Sequence, residues 1–125
     1  MSLLLDTHVV LWLMAGDKAL MARARRTIEA ADAVYVSSIT PWEVAIKVAL
    51  GKLDLDLERF DDELARMACV PLPITWRHTR ALRRLPRLHG DPFDRLLIAQ
   101  AISGPLHLLT SDAALAAFGP HVAVV

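Results

Sequence analysis

The sequence of 125 residues contains one cysteine, Cys69. A lone thiol excludes an intramolecular disulfide and any cysteine-rich zinc centre. Its neighbours Met67, Ala68 and Val70 are apolar, so the thiol is expected to be buried and inert. Such usage fits a reducing compartment. No run of eighteen apolar residues occurs, which argues against a membrane span. The opening Met-Ser-Leu-Leu-Leu-Asp has no basic stretch and meets Asp6 too early for a signal peptide. The expected location is the cytoplasm. Excess charge of either sign is also missing, with 14 Lys and Arg against 14 Asp and Glu. Net charge therefore gives no reason to expect a polyanionic partner. Repeats, low-complexity tracts and linkers are absent.

What is present is apolar and locally charged. Hydrophobic residues make up 54% of the chain, which implies nearly all-apolar central elements, an exposed partner surface, or both. The length suits a single domain over residues 1–125. Five arginines and no acid lie between Arg77 and Gly90, and six acids with one arginine between Asp54 and Glu63. Any grip on nucleic acid must therefore be local. The acidic run reads as the solvated face of an amphipathic helix.

Leu3-Leu4-Leu5 is a short apolar run ending at Asp6 and predicts a buried strand. Helices are expected from Thr7 to near Gly16 and over residues 19–30, where Leu20, Ala24, Thr27 and Ile28 form a stripe. Val34-Tyr35-Val36 reads as a second strand and residues 37–40 as a turn. Pro41 then opens a helix that Gly51 ends. Leu57, Phe60, Leu64 and Met67 predict a helix over 57–68. Val70-Pro71-Leu72 reads as an edge strand, because proline cannot donate to a ladder. A helix over 75–85, stopped by Pro86, carries Arg77, Arg80 and Arg84 on one face. The segment 92–103 is apolar almost all round and predicts a central buried helix. A strand over 106–109, a short helix over 113–118 and a strand over 122–125 complete the chain.

Strands alternating with helices predict an α/β fold: three α/β/α layers around a mostly parallel sheet of about five strands. Right-handed crossovers place every strand's carboxyl end on one edge, where ligand chemistry sits in such folds. Asp6, Glu43, Asp94 and Asp112 all belong to helix starts at that edge. Each has an ordinary explanation. Asp6 and Asp112 suit N-caps. Thr40 and Glu43 suit a capping box, and Glu43 with Lys47 a helical ion pair. Asp94 falls in the first turn of a helix capped by Asp91. Four acids on one edge, however, repel one another unless a cation relieves them. All-oxygen donors suit magnesium or manganese, which can activate water and neutralise a phosphodiester. The one basic residue interposed among these acids in the sequence is Arg95, expected to point away or to meet phosphate. Thr7, Ser38, Thr40, Thr110 and Ser111 gather nearby, to orient carboxylates or to shape turns. His89 is the histidine expected nearest this edge. Trp12, Trp42 and Trp76 are expected to pack in the core or on a partner rather than stack on bases.

Leu-Leu-Asp6-Thr7-His8, Trp42-Glu43-Val44-Ala45, the run Asp91-Pro92-Phe93-Asp94-Arg95-Leu96-Leu97-Ile98-Ala99-Gln100-Ala101, and Leu108-Leu109-Thr110-Ser111-Asp112 together resemble PIN-domain ribonucleases. The match is best to VapC-like toxins of bacterial and archaeal type II toxin–antitoxin systems. The resemblance covers essentially the whole chain. It implies a single-strand RNA endonuclease that needs Mg2+ or Mn2+, with the family's acidic positions at Asp6, Glu43, Asp94 and Asp112. Asp91 is then a cap or an outer residue. The family further implies a cognate antitoxin and a homodimer. A partner peptide is expected to cover apolar surface near residues 42–60.

Two other readings use the same residues. A phospho-acceptor domain would want adjacent acids after the first strand and a late lysine, and no lysine follows Lys52. A haloacid-dehalogenase-type phosphohydrolase would want Asp-x-Asp there. The alternative that remains is a non-catalytic binding module of the same fold, using its acidic edge to hold a partner.

Overall fold

Three consecutive leucines build the centre of the sheet. A computed structural model describes residues 1–16, 18–88 and 90–125. The expectation placed on His89 lies outside the described residues. Strand β1 (Leu3–Leu5) is fully buried. It is flanked by β2 (Val34–Ser37) and β4 (His107–Thr110), with β3 (Val70–Leu72) and β5 (Val122–Val124) outside them. The order is β3-β2-β1-β4-β5, and every pairing is parallel. Leu5 stands opposite Leu109, so the two central strands end side by side.

Alternation along β1 sends its side chains to two cores. Leu4 packs with Leu97, Ile98 and Ala101 of helix α6 (Pro92–Ser103), and with Leu115. Leu3 and Leu5 face the other way. They meet Val9 and Val10 of α1 (Thr7–Ala15), Ala24 of α2 (Lys18–Glu29), Val44 of α3 (Ile39–Ala49) and Phe60 of α4 (Leu57–Arg66). Helices thus cover both faces, which is the expected three-layer fold. The apolar run in α6 has its explanation here: residues 97–101 are all buried.

Several boundaries differ from the sequence reading. Helix α3 begins at Ile39, before Pro41, and Ser38 at its N-cap makes no side-chain cap bond. Of the expected turn at residues 37–40, Ser37 closes β2, Ser38 is turn, and Ile39 and Thr40 are already helix. The expected capping box fails with it: Thr40 is buried, and its Oγ1 lies 3.1 Å from the Thr7 hydroxyl. Helix α5 (Trp76–Ala81) gives way to a 3-10 turn at Leu82–Arg84 instead of running to residue 85. A capping box does open α5, between Thr75 and His78. The short helix expected over 113–118 is present with those bounds and is of the 3-10 type. Strand β4 lies one residue later than expected, which puts Thr110 on the strand end. β3 is an outer strand, as Pro71 implies.

Sequence order reverses about β1, with β2 and β3 on one side and β4 and β5 on the other. The switch point lies between β1 and β4. Their carboxyl ends carry Asp6 and the segment Thr110 to Asp112.

Candidate active site

Asp6 leaves β1 and caps α1, its Oδ1 accepting from the His8 N–H at 3.2 Å. Its Oδ2 accepts from the Thr110 hydroxyl at 2.6 Å. Both oxygens are thereby fixed, and the residue is buried. Burial pushes the Asp6 carboxyl up, but the bonds from His8 and Thr110 outweigh it and hold the group below its ordinary value. The His8 ring lies 3.8 Å from Asp6 Oδ1 and is itself raised, mainly by that carboxylate.

Thr110 also accepts from the Asp112 N–H, at 3.1 Å. Asp112 then caps the following 3-10 turn by accepting from Ala114 N–H at 3.0 Å. One hydroxyl therefore ties Asp6 to the backbone that carries Asp112.

Glu43 rises from the first turns of α3 and is buried. Its Oε2 accepts from Lys47 Nζ at 2.6 Å. Lys47 is held above its ordinary value first by that bond, then by the charges of Glu43, Asp91 and Asp94. Asp94 sits in the first turn of α6, which Asp91 caps by accepting from the Phe93 and Asp94 N–H groups. The starts of α3 and α6 meet directly: the Trp42 and Phe93 rings stand edge to face with centroids 5.1 Å apart. His8, for its part, feels the charges of Lys47 and Glu43. The charges of Glu43 and Lys47 thus reach His8 beside Asp6, and that of Asp94 reaches Lys47, while the backbone of Asp112 is tied to Asp6 through Thr110.

Arg95 donates to the Pro86 carbonyl at 2.9 Å. Lys47 is the cation paired with Glu43. Sequence reasoning does not single out His8, although its position two residues after a strand-ending Asp6 is an available signal. Among the described residues, no three acids, histidines or cysteines stand close enough to share an ion. The physical reason is visible: Asp6 is turned to Thr110 and His8, Glu43 to Lys47, and Asp112 to its own turn. The donor set nonetheless fits a hard divalent cation. It consists of carboxylate and hydroxyl oxygens, and a lysine ammonium is already drawn into it.

Residues 3–119 match the family model described as PIN domain. The chain belongs to the PIN-domain family. Ribonuclease VapC22 from Mycobacterium tuberculosis (strain ATCC 25618 / H37Rv) is 30% identical over 118 residues, covering 89% of this chain and 87% of that protein. VapBC2 from Rickettsia felis, solved bound to a DNA fragment from their promoter, superposes with TM-score 0.72 at 16% identity, over 100% of this chain and 98% of that one. A toxin-antitoxin complex from Klebsiella pneumoniae gives 0.69 at 21% identity, over 97% and 95%. The two structures establish the PIN fold. All four edge acids lie inside the matched PIN segment.

The rest of this PIN domain's polar surface is split. Arg77, Arg80 and Arg84 line a groove of about 650 Å3 with Phe118. Arg77 there donates to the Ser103 carbonyl at 2.5 Å, at the far end of α6 from Asp94. Trp42 and Trp76 are exposed, Trp76 by 80%, so the core is not where it packs. Cys69 is only half-buried; its thiol is pushed up by burial and donates to the Met67 carbonyl.

Proposed function

We propose that this chain is a metal-dependent endoribonuclease that cuts single-stranded RNA and acts as the toxin of a type II toxin–antitoxin pair. The observation that carries the reading is the buried Asp6 carboxylate, pinned by Thr110 at the switch point of the sheet. The family and the likeness to Ribonuclease VapC22 supply the reaction class.

Asp6 and Asp94 are assigned as the principal ligands of Mg2+ or Mn2+, with Glu43 and Asp112 completing the acidic set. Bound there, the ion supplies Lewis-acid charge and an activated water for in-line displacement at phosphorus. The chain supplies the rest. Thr110 and His8 keep Asp6 ionised and aimed. The first turns of α3 and α6, joined by the Trp42–Phe93 ring contact, hold Glu43 and Asp94 on helices. The arginine groove offers charge to a phosphate backbone, which gives affinity rather than sequence choice.

An antitoxin partner fits the apolar surface between residues 42 and 60, where Trp42, Leu50 and Leu57 are exposed. Beside it, Leu11, Met14, Leu53, Leu55 and Phe60 line a cleft of about 520 Å3. A homodimer and a cytoplasmic location belong to the same proposal, as does the assignment of residues 1–125 to one domain. No helix among the described residues is long and apolar enough to cross a membrane.

The test is cleavage of single-stranded RNA by purified protein with Mn2+ or Mg2+. Activity should vanish with a chelator and in Asp6→Asn and Asp94→Asn. Cleavage that survives chelation, or an Asp94→Asn protein as active as wild type, contradicts the proposal. The alternative, a binding module, is favoured by one observation: Asp6, Glu43 and Asp112 already have partners of their own in this structure. Calorimetry separates the two, because a module of that kind takes up no manganese at the edge.

A further inference from the structure

Lys47 is the residue at this edge whose place the proposed chemistry does not use. It follows Glu43 by one helical turn, an ordinary spacing for an ion pair. Its setting is less ordinary. The Glu43 side chain is 3% exposed and the Lys47 side chain 32%, with 2.6 Å between them. Three carboxylates, those of Glu43, Asp91 and Asp94, act on the one ammonium. A buried carboxylate needs a counter-charge or a proton. Here the chain provides the counter-charge from its own helix.

Resting on the metal-dependent reading above, we propose that Lys47 is the resident counter-ion of the acidic edge, and that a divalent cation binds by displacing its ammonium from Glu43. Two positive charges cannot both sit against the buried Glu43 carboxylate, because their repulsion is strong where solvent is scarce. The exchange makes and breaks ionic contacts only. The ammonium moves outward into water, reached by a flexible four-carbon stem that is already one-third exposed. Lys47 is thus a positioning residue that acts through Glu43. It keeps the acids together in the unloaded protein and sets how tightly the ion is held when loaded.

Two measurements on the full chain test this: the dissociation constant of Mn2+ by calorimetry, and the melting temperature with and without Mn2+. Lys47→Met removes the competitor and leaves Glu43 unpaired. Its unloaded melting temperature should fall by about 5–15 °C. Mn2+ should bind roughly ten-fold tighter than to wild type and raise the melting temperature by more than it does for wild type. Lys47→Arg keeps the charge and grips a carboxylate in a two-pronged fashion. It should bind Mn2+ several-fold more weakly than wild type, and it remains informative if Lys47→Met does not fold. Unchanged or weaker Mn2+ binding by Lys47→Met overturns the proposal, as does Lys47→Arg binding as tightly as wild type. If wild type itself takes up no Mn2+, and Asp6→Asn behaves identically, the metal-dependent reading fails instead.

Discussion

Thr110 donates its hydroxyl hydrogen to Asp6 across 104 residues of chain, at 2.6 Å, in the buried seam between the two central strands. The bond joins the ends of β1 and β4 and sets which way the Asp6 carboxylate points. Thr110→Val keeps the shape and removes the donor. It should cost about 1–3 kcal/mol of stability and lower RNA cleavage by roughly 10–100-fold, the usual range when a supporting hydrogen bond at a metal site is removed. Thr110→Ser should retain most of both. Equal activity in the valine and serine variants would show that Asp6 is aimed by other means.

The edge-to-face packing of Trp42 and Phe93 ties the start of α3 to the start of α6. Trp42 is 52% exposed, so its truncation removes little core. Trp42→Ala should cost about 1 kcal/mol, yet reduce cleavage more than that drop in stability explains, because Glu43 and Asp94 ride on the two helices. Chemical denaturation and cleavage rates on one preparation check this. A cleavage rate equal to wild type would separate the ring pair from the site.

His78 gives a pH dependence remote from the acids. Its buried Nδ1 accepts from the Thr75 N–H at 3.0 Å and lies 3.3 Å from Gln100 Nε2. Burial, and then the Arg77 charge, hold the ring below its ordinary value of 6.5. The folded protein therefore binds fewer protons here than the unfolded chain. This contribution to stability is complete above pH 6.5 and is lost as the pH falls through the lower folded value. Thermal melts from pH 8 to pH 5 should show a steeper decline for wild type than for His78→Gln, whose amide oxygen still accepts from Thr75. Parallel curves would contradict it.

The arginine groove predicts a salt effect. Binding of uncut single-stranded RNA, measured in an Asp94→Asn background, should weaken with salt. Arg80→Gln together with Arg84→Gln should flatten the log–log slope by about 0.7 for each phosphate no longer neutralised. An unchanged slope would place the RNA elsewhere.

The parts of the fold legible in the sequence are those governed by local pattern. Leu3-Leu4-Leu5 ending at Asp6, the largely apolar α6 and the proline in β3 each behave as their chemistry dictates. Boundaries shift where a tertiary interaction overrides a local rule. Thr40 looks like a cap for Glu43, but its hydroxyl pairs with Thr7, and the helix starts earlier at Ile39. The break after Ala81 is likewise invisible to a helical arginine spacing. At the edge, the acids can be read off strand ends and helix starts. Lys47 and His8 cannot be assigned there, because an i,i+4 pair and a first-turn histidine are equally ordinary on any exposed helix. Only the burial of Glu43 and the 2.6 Å separation distinguish the first, and the shared carboxylate of Asp6 the second.

The central claim is that acids distant in the chain converge on one divalent ion. Anomalous scattering from crystals grown with Mn2+ tests it most directly. A manganese peak bridging the carboxylates of Asp6 and Asp94, and absent from Asp6→Asn crystals, is the predicted result. Ordered, manganese-saturated crystals with no peak between those two residues would contradict it.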